Sequence, residues 1–308
     1  MATKKSMKVL LIMLMLLGLT GLLSLPAEAA PKWPIPEGIK TVEVNGYDMA
    51  YQEAGSGTPL VLVHGSLSDY RIWETQVPEF SKGYRTIAVS LRHYYPEKWS
   101  GIGDDFSIAQ HASDVAALIK NLNLGKVHLL GHSRGGAVVL SVARLYPEVI
   151  RTLILEDASG MESLLPETPE SQKVAAYGVE PRKALRANIA AGDMDKAARE
   201  SVDSLSGPGS WENLPAERKQ RVFDNIGTGT VTDERPKVSC ADIQKFNFPI
   251  LPLNGERSPK VYGQTYDSMR QCKPDIPASL IVPQAAHTMH VGNPEFFNKA
   301  VLDFLSQH

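Results

Sequence analysis

Short apolar runs alternate with amphipathic stretches from about residue 40 onward. Thr41 to Val44 and Asp48 to Gln52 alternate in polarity around Asn45-Gly46, whose residue types accept positive φ, and this predicts a hairpin. Pro59 to Val63 and Arg85 to Val89 read as strands, and between them Tyr70, Trp73, Val77 and Phe80 recur at helical spacing. Ile108 to Leu122 carries apolar residues at Ala109, Ala112, Val115, Ala116, Ile119 and Leu122, which predicts a helix. Lys126 to Leu130 (strand), Ala137 to Leu145 (helix) and Thr152 to Leu155 (strand) follow. Strands that are apolar throughout, alternating with helices, predict an α/β fold with a mostly parallel central sheet covered by helices on both faces.

The alternation stops after Asp157. From about Met161 to Ile243 the chain is rich in Ala, Glu, Lys and Arg with scattered Pro and Gly, and it reads as several short helices. Strand and helix then resume at Pro249 to Leu253, Pro259 to Gln271, Ala278 to Val282 and Pro294 to Leu305. The expected organisation is a core of residues 30–157 and 246–308 interrupted by a helical insertion at 158–245. No internal repeat or low-complexity linker breaks the pattern.

The first residues follow another pattern. Lys4, Lys5 and Lys8 precede an uncharged apolar run from Val9 to Leu25, followed by Pro26-Ala27-Glu28-Ala29. This is the layout of a secretory signal peptide over residues 1–29, and it predicts cleavage near Ala29 and export to a periplasmic or extracellular space. An uncleaved N-terminal membrane anchor is the alternative; after cleavage no membrane span is expected. Export gives the only two cysteines, Cys240 and Cys272, an oxidising compartment in which to pair.

Composition excludes some partners. The 308 residues hold 32 Lys and Arg against 34 Asp and Glu, a net charge of −2, and removing the leader makes the chain more acidic. Without a basic excess there is no electrostatic footprint for nucleic acid. The His and Cys residues lack metal-ligand spacing, and no phosphate loop or dinucleotide fingerprint occurs, so neither metal nor cofactor is expected.

The chemistry is concentrated at Gly131-His132-Ser133-Arg134-Gly135, which fits G-x-S-x-G and falls between a predicted strand and a predicted helix. A strained turn there holds a nucleophilic Ser, and the glycines let strand and helix approach. With this elbow the chain resembles the α/β-hydrolase superfamily from about Lys40 to Leu305. Val61 to Gly65 looks like the family's strand-3 motif, Gln284 to His287 followed by Asn293-Pro294-Glu295 resembles its catalytic-His loop, and the helical insertion lies where the family places its cap domain.

The resemblance implies a catalytic triad. A Ser hydroxyl needs an imidazole to take its proton, and the imidazole needs an acid to fix its tautomer. Ser133 is the expected nucleophile and His287 the expected base; His290, three residues on, is a neighbour that could be mistaken for it. The family's usual acid position is occupied by Ser258, which leaves Asp157 as the preferred carboxylate and Glu256 as the alternative. Glu156 should point away from Asp157 in an extended strand. The backbone N–H groups of Ser66 and Arg134 form the expected oxyanion hole. His93, Tyr94, Trp99 and Trp211 are candidate substrate-binding residues.

The implied activity is hydrolysis of a small carboxylic ester or related acyl substrate through an acyl-enzyme. A cofactor-free perhydrolase or a carbon–carbon bond hydrolase is the alternative within the enzyme class. A ligand-binding homologue with little turnover is the alternative outside it.

Overall fold

The computed structural model describes residues 33–232 and 237–308; the expected leader lies outside them. β1 (Lys40–Val44) and β2 (Tyr47–Ala54) form the hairpin, followed by β3 (Pro59–Val63), α1 (Gln76–Phe80) and β4 (Arg85–Val89). Then come α2 (Ile108–Asn121), β5 (Val127–His132), α3 (Arg134–Leu145) and β6 (Ile150–Glu156). The insertion holds α4 (Pro169–Ala175), α5 (Val179–Ala190), α6 (Met194–Ser206), α7 (Ala216–Asp224) and α8 (Cys240–Gln244). β7 (Ile250–Gly255), α9 (Lys260–Cys272), β8 (Leu280–Val282), α10 (Met289–Gly292) and α11 (Pro294–Ser306) complete the chain.

The strands form one eight-stranded sheet in the order β1-β2-β4-β3-β5-β6-β7-β8. The β1–β2 and β2–β4 pairs are antiparallel and all the others are parallel. Side chains of a strand alternate between faces, so each central strand feeds two apolar layers. Val61 and Val63 pack with Leu129, Leu153 and residues of α2 and α3. Leu60 and Leu62 pack with Leu130, Ile154, Trp73, Phe80, Phe297 and Val301 on the other face. Each such side chain contributes roughly 1.5–3 kcal/mol by leaving water, which anchors the sheet on both sides.

Several boundaries differ from the periodicity reading, and two of them matter most for the site. β5 runs past Leu130 to His132, because the ladder continues through Gly131 opposite Leu155 and His132 opposite Glu156. α3 begins at Arg134 rather than Ala137, directly after Ser133. The nucleophile candidate is therefore the single residue between a strand and a helix.

Between β6 and β7 the described residues contain helices and no strand. Local signals start these helices: Thr168 Oγ1 accepts the Ser171 N–H ahead of Pro169, and Asp193 accepts the Lys196 N–H. Cys240, which opens α8, is disulfide-bonded to Cys272, which ends α9, so the end of the insertion is covalently tied to the core. Among the described residues no helix is long and apolar enough to cross a membrane.

Candidate active site

Ser133 has φ 54° and ψ −117°, a left-handed conformation that costs a non-glycine residue about 1–3 kcal/mol. Its neighbours hold it there. Its N–H donates to the Glu156 carbonyl at 2.9 Å, and its own carbonyl accepts from the N–H groups of Gly136 and Ser159 at 2.9 and 3.1 Å and from Ser159 Oγ at 3.0 Å. α3 also has to pass very close to β3, since a Cβ on Gly135 would collide with the carbonyl oxygens of Val63 and His64. Ser133 thus sits at the C-terminal edge of the sheet, half-buried in the wall of a cavity of about 680 Å³.

His287 lies in the turn between β8 and α10 and lines the same cavity, as do Ser66 and Arg134. Its Nδ1 is 3.0 Å from Asp157 Oδ2, with both side chains buried. The His287 carbonyl accepts a hydrogen bond from His132 Nε2 at 3.0 Å, and the Tyr262 ring stacks on the imidazole at 5.0 Å. Asp157 follows the last residue of β6, and its N–H donates to the Leu253 carbonyl at 2.9 Å. Burial pushes the Asp157 carboxyl well above the usual carboxylate range and the neighbouring Glu156 adds to this, while Ser258 and the Gly255 backbone act in the opposite direction. A His287 ring that donates Nδ1–H to Asp157 presents Nε2 as its acceptor nitrogen.

The alternative acid is engaged elsewhere: Glu256 is exposed and accepts the Gln284 N–H at 2.7 Å. Ser258, at the family's usual acid position, accepts the Gly255 N–H at 3.1 Å.

Of the four expected substrate-binding residues, Tyr94 lines the cavity, and His93, Trp99 and Trp211 are not among its lining residues. His93 is held by Glu97 at 3.0 Å and Asp105 at 2.7 Å, and its ring stacks on Trp99 at 4.3 Å. Burial works against a charged His93 ring, but the two carboxylates outweigh it and raise its pKa. Trp99 donates to the Ile102 carbonyl at 3.0 Å. Trp211 is buried edge-on against Phe223.

A second buried His–carboxylate pair stands beside the first. His290 Nδ1 is 2.6 Å from Glu156 Oε1, which also accepts the His290 N–H at 3.2 Å. Glu156 ends β6 and Asp157 lies just beyond it with a positive φ of 39°; from these positions Asp157 reaches His287 and Glu156 reaches His290. One ligand-type atom from each of His132, Glu156 and His290 lies within 4.8 Å of the others, making them the residues among those described that could approach a metal. His132 Nε2 is hydrogen-bonded to the His287 carbonyl and His290 Nδ1 to Glu156, while His132 Nδ1, His290 Nε2 and Glu156 Oε2 have no hydrogen-bond partner. As it stands, the cluster buttresses the loop that carries His287. Its sequence signal is the pairing of Glu156-Asp157 with the His287-x-x-His290 spacing.

Known proteins share this architecture. A family model of the alpha/beta hydrolase fold matches residues 58–294. The chain is 25% identical over 292 residues to a 2-(acetamidomethylene)succinate hydrolase of Mesorhizobium japonicum, across 86% of this chain and 94% of the relative. It is 28% identical over 287 residues to a 2-hydroxy-6-oxo-2,4-heptadienoate hydrolase of Pseudomonas putida, across 87% and 96% of the two. Among solved structures, a thermophilic esterase from Thermogutta terrifontis superposes with a TM-score of 0.68 at 25% identity, over 87% of this chain and 97% of that one.

Proposed function

The chain belongs to the α/β-hydrolase fold family, and from that premise we propose that it is a serine hydrolase acting on a small carboxylic ester. The observation that carries this reading is the Asp157–His287 contact at 3.0 Å in a cavity whose wall also presents Ser133 on its strained turn. Ser133 Oγ attacks the substrate carbonyl while His287 Nε2 takes its proton, and Asp157 holds the ring and stabilises the imidazolium that forms. The alkoxide of the tetrahedral intermediate faces the backbone N–H groups of Ser66 and Arg134, each such donor being worth about 3 kcal/mol of barrier. Collapse expels the alcohol, protonated by His287, and leaves an acyl-enzyme. Water, activated by the same imidazole, then releases the acid.

The test is Ser133→Ala. It should abolish turnover of short-chain aryl esters and labelling by a fluorophosphonate; undiminished turnover would sink the assignment. A single turnover without recycling would favour a ligand-binding homologue. Carbon–carbon bond cleavage is the second reading, supported by the match to the heptadienoate hydrolase over most of both chains. Activity on a vinylogous diketone and none on esters would select it. We further place the protein outside the cytoplasm, a reading supported by the leader-like N-terminus and the Cys240–Cys272 pair.

A further inference from the structure

The wall of the cavity carries a charge pattern that ester hydrolysis alone does not require. Six arginines line it, Arg134, Arg182, Arg186, Arg218, Arg221 and Arg257, and among the described lining residues there is no Asp or Glu. The strongest feature is on α7. Arg218 and Arg221 stand one helical turn apart and share a single acid: Arg218 Nη2 donates to Glu74 Oε1 at 3.0 Å and Arg221 Nη2 to Glu74 Oε2 at 3.4 Å. Nearby Arg71 is matched by two carboxylates, Asp69 and Asp224, at 2.7 Å each. Counted together these three guanidinium groups face three carboxylates, but Arg221 itself has only the 3.4 Å contact to Glu74, which it shares with Arg218.

Arg221 is 6% exposed, and its Nε–H has no acceptor. Burial disfavours its cation and lowers its pKa; Asp69 and Glu74 act in the opposite direction, and Arg71 and Arg218 add a smaller repulsion. A buried donor without an acceptor is costly, and the cost falls when an anion arrives to accept it. The alkyl tail of a simple ester carries no acceptor and offers no such gain.

We propose that the substrate carries a carboxylate held by Arg221 and Arg218 while its ester carbonyl lies over Ser133. The substrate class is then a half-ester of a small dicarboxylic acid, hydrolysed with one water to the dicarboxylic acid and the alcohol. This rests on the serine-hydrolase reading.

The experiment compares two aryl esters of equal acyl length, mono-(4-nitrophenyl) glutarate and 4-nitrophenyl pentanoate, on the wild-type protein. A charge-assisted hydrogen bond to a buried guanidinium should favour the glutarate by about tenfold or more in kcat/KM, mainly through KM. Free glutarate should inhibit pentanoate hydrolysis competitively. In Arg221→Met the glutarate-to-pentanoate ratio should fall to near one, and Arg221→Lys should keep part of it, since charge remains but the planar fork is lost. Equal kcat/KM for the two esters on the wild type overturns the inference and leaves the serine hydrolase standing. Turnover of neither ester, with Ser133 unlabelled by a phosphonate, overturns both.

Discussion

Replacing Asp157 by Asn asks the most of the proposed mechanism, because it keeps the shape of the side chain and removes only its charge. In the resting structure Asp157 Oδ2 lies 3.0 Å from His287 Nδ1, and both side chains are almost completely removed from water. When His287 takes the Ser133 proton, an imidazolium forms against that carboxylate. At this separation and an effective dielectric of about 20, the attraction is roughly 5 kcal/mol, equivalent to a rate factor of about a thousandfold to ten-thousandfold. The Asn amide also offers an N–H where Nδ1–H needs an acceptor, which favours the wrong tautomer.

The assay is kcat/KM for a neutral aryl ester at pH 8, with thermal unfolding in parallel. The fold should survive. Burial raises the Asp157 pKa in the folded protein, so its ionised form disfavours folding, and this penalty grows as pH rises above the unfolded value. The melting temperature of Asp157→Asn at pH 8 should therefore be no lower than that of the wild type, which separates lost catalysis from lost structure. Glu256→Gln serves as the control and should stay within about threefold, because that carboxylate is exposed and bound to a backbone N–H. If Asp157→Asn kept more than a tenth of wild-type activity while Glu256→Gln lost a hundredfold, the acid would be Glu256 and the reasoning from the resting geometry would fail.

Two further outcomes follow from groups around the site. Burial pushes Glu156 up to about 7 from 4.5, so the folded protein holds a proton there that the unfolded chain has released. Stability should then fall as pH rises from about 4.5 through about 7, by on the order of 3 kcal/mol for this group. Glu156→Gln, which imitates the protonated acid, should melt about 5 °C or more above the wild type at pH 8 and close to it at pH 4; equal melting at both would contradict the burial assignment. Cys240 and Cys272 enclose 32 residues of chain separation, for which loop entropy gives about 3–4 kcal/mol. Cys240→Ser with Cys272→Ser should lower the urea midpoint accordingly without changing the preference between esters, and an unshifted midpoint would mean the bridge adds nothing to stability.

How much of this the sequence makes legible depends on whether the signal is local. β3 and β4 match the predicted spans Pro59–Val63 and Arg85–Val89 because their apolar runs have clear ends. The end of β5 and the start of α3 are missed, since Gly131 and His132 are not apolar strand residues and Arg134-Gly135-Gly136 carries no helical periodicity; pairing with β6 extends the strand. The cavity wall is the least legible part. His93 and Trp99 suggest a binding loop by residue type, but Glu97 and Asp105 recruit the imidazole into a local network. Conversely, Arg218 and Arg221 look like ordinary solvated helix charges until α7 packs over the core and buries one of them.

The position of the acid shows how the sheet tolerates a change that a motif does not. Ser258 follows β7, and Asp157 follows β6, and these two strands are neighbours, with Glu156 opposite Leu253 and the Asp157 N–H on the Leu253 carbonyl. A carboxylate moved from one strand end to the next therefore still reaches the His287 loop. The move has a structural counterpart in the residue before it. Asp157 lies just past the end of β6 with φ 39°, and Glu156, the last residue of the strand, is hydrogen-bonded to His290. Glu156 there accepts both the His290 ring and its backbone N–H, fixing the turn that carries His287 from the side Asp157 does not touch. The adjacent carboxylates thus divide one task. In the proposed mechanism Asp157 sets the tautomer of the base while Glu156 holds the turn that carries it, so Glu156→Gln, which keeps the acceptor oxygen, should spare activity far better than Asp157→Asn.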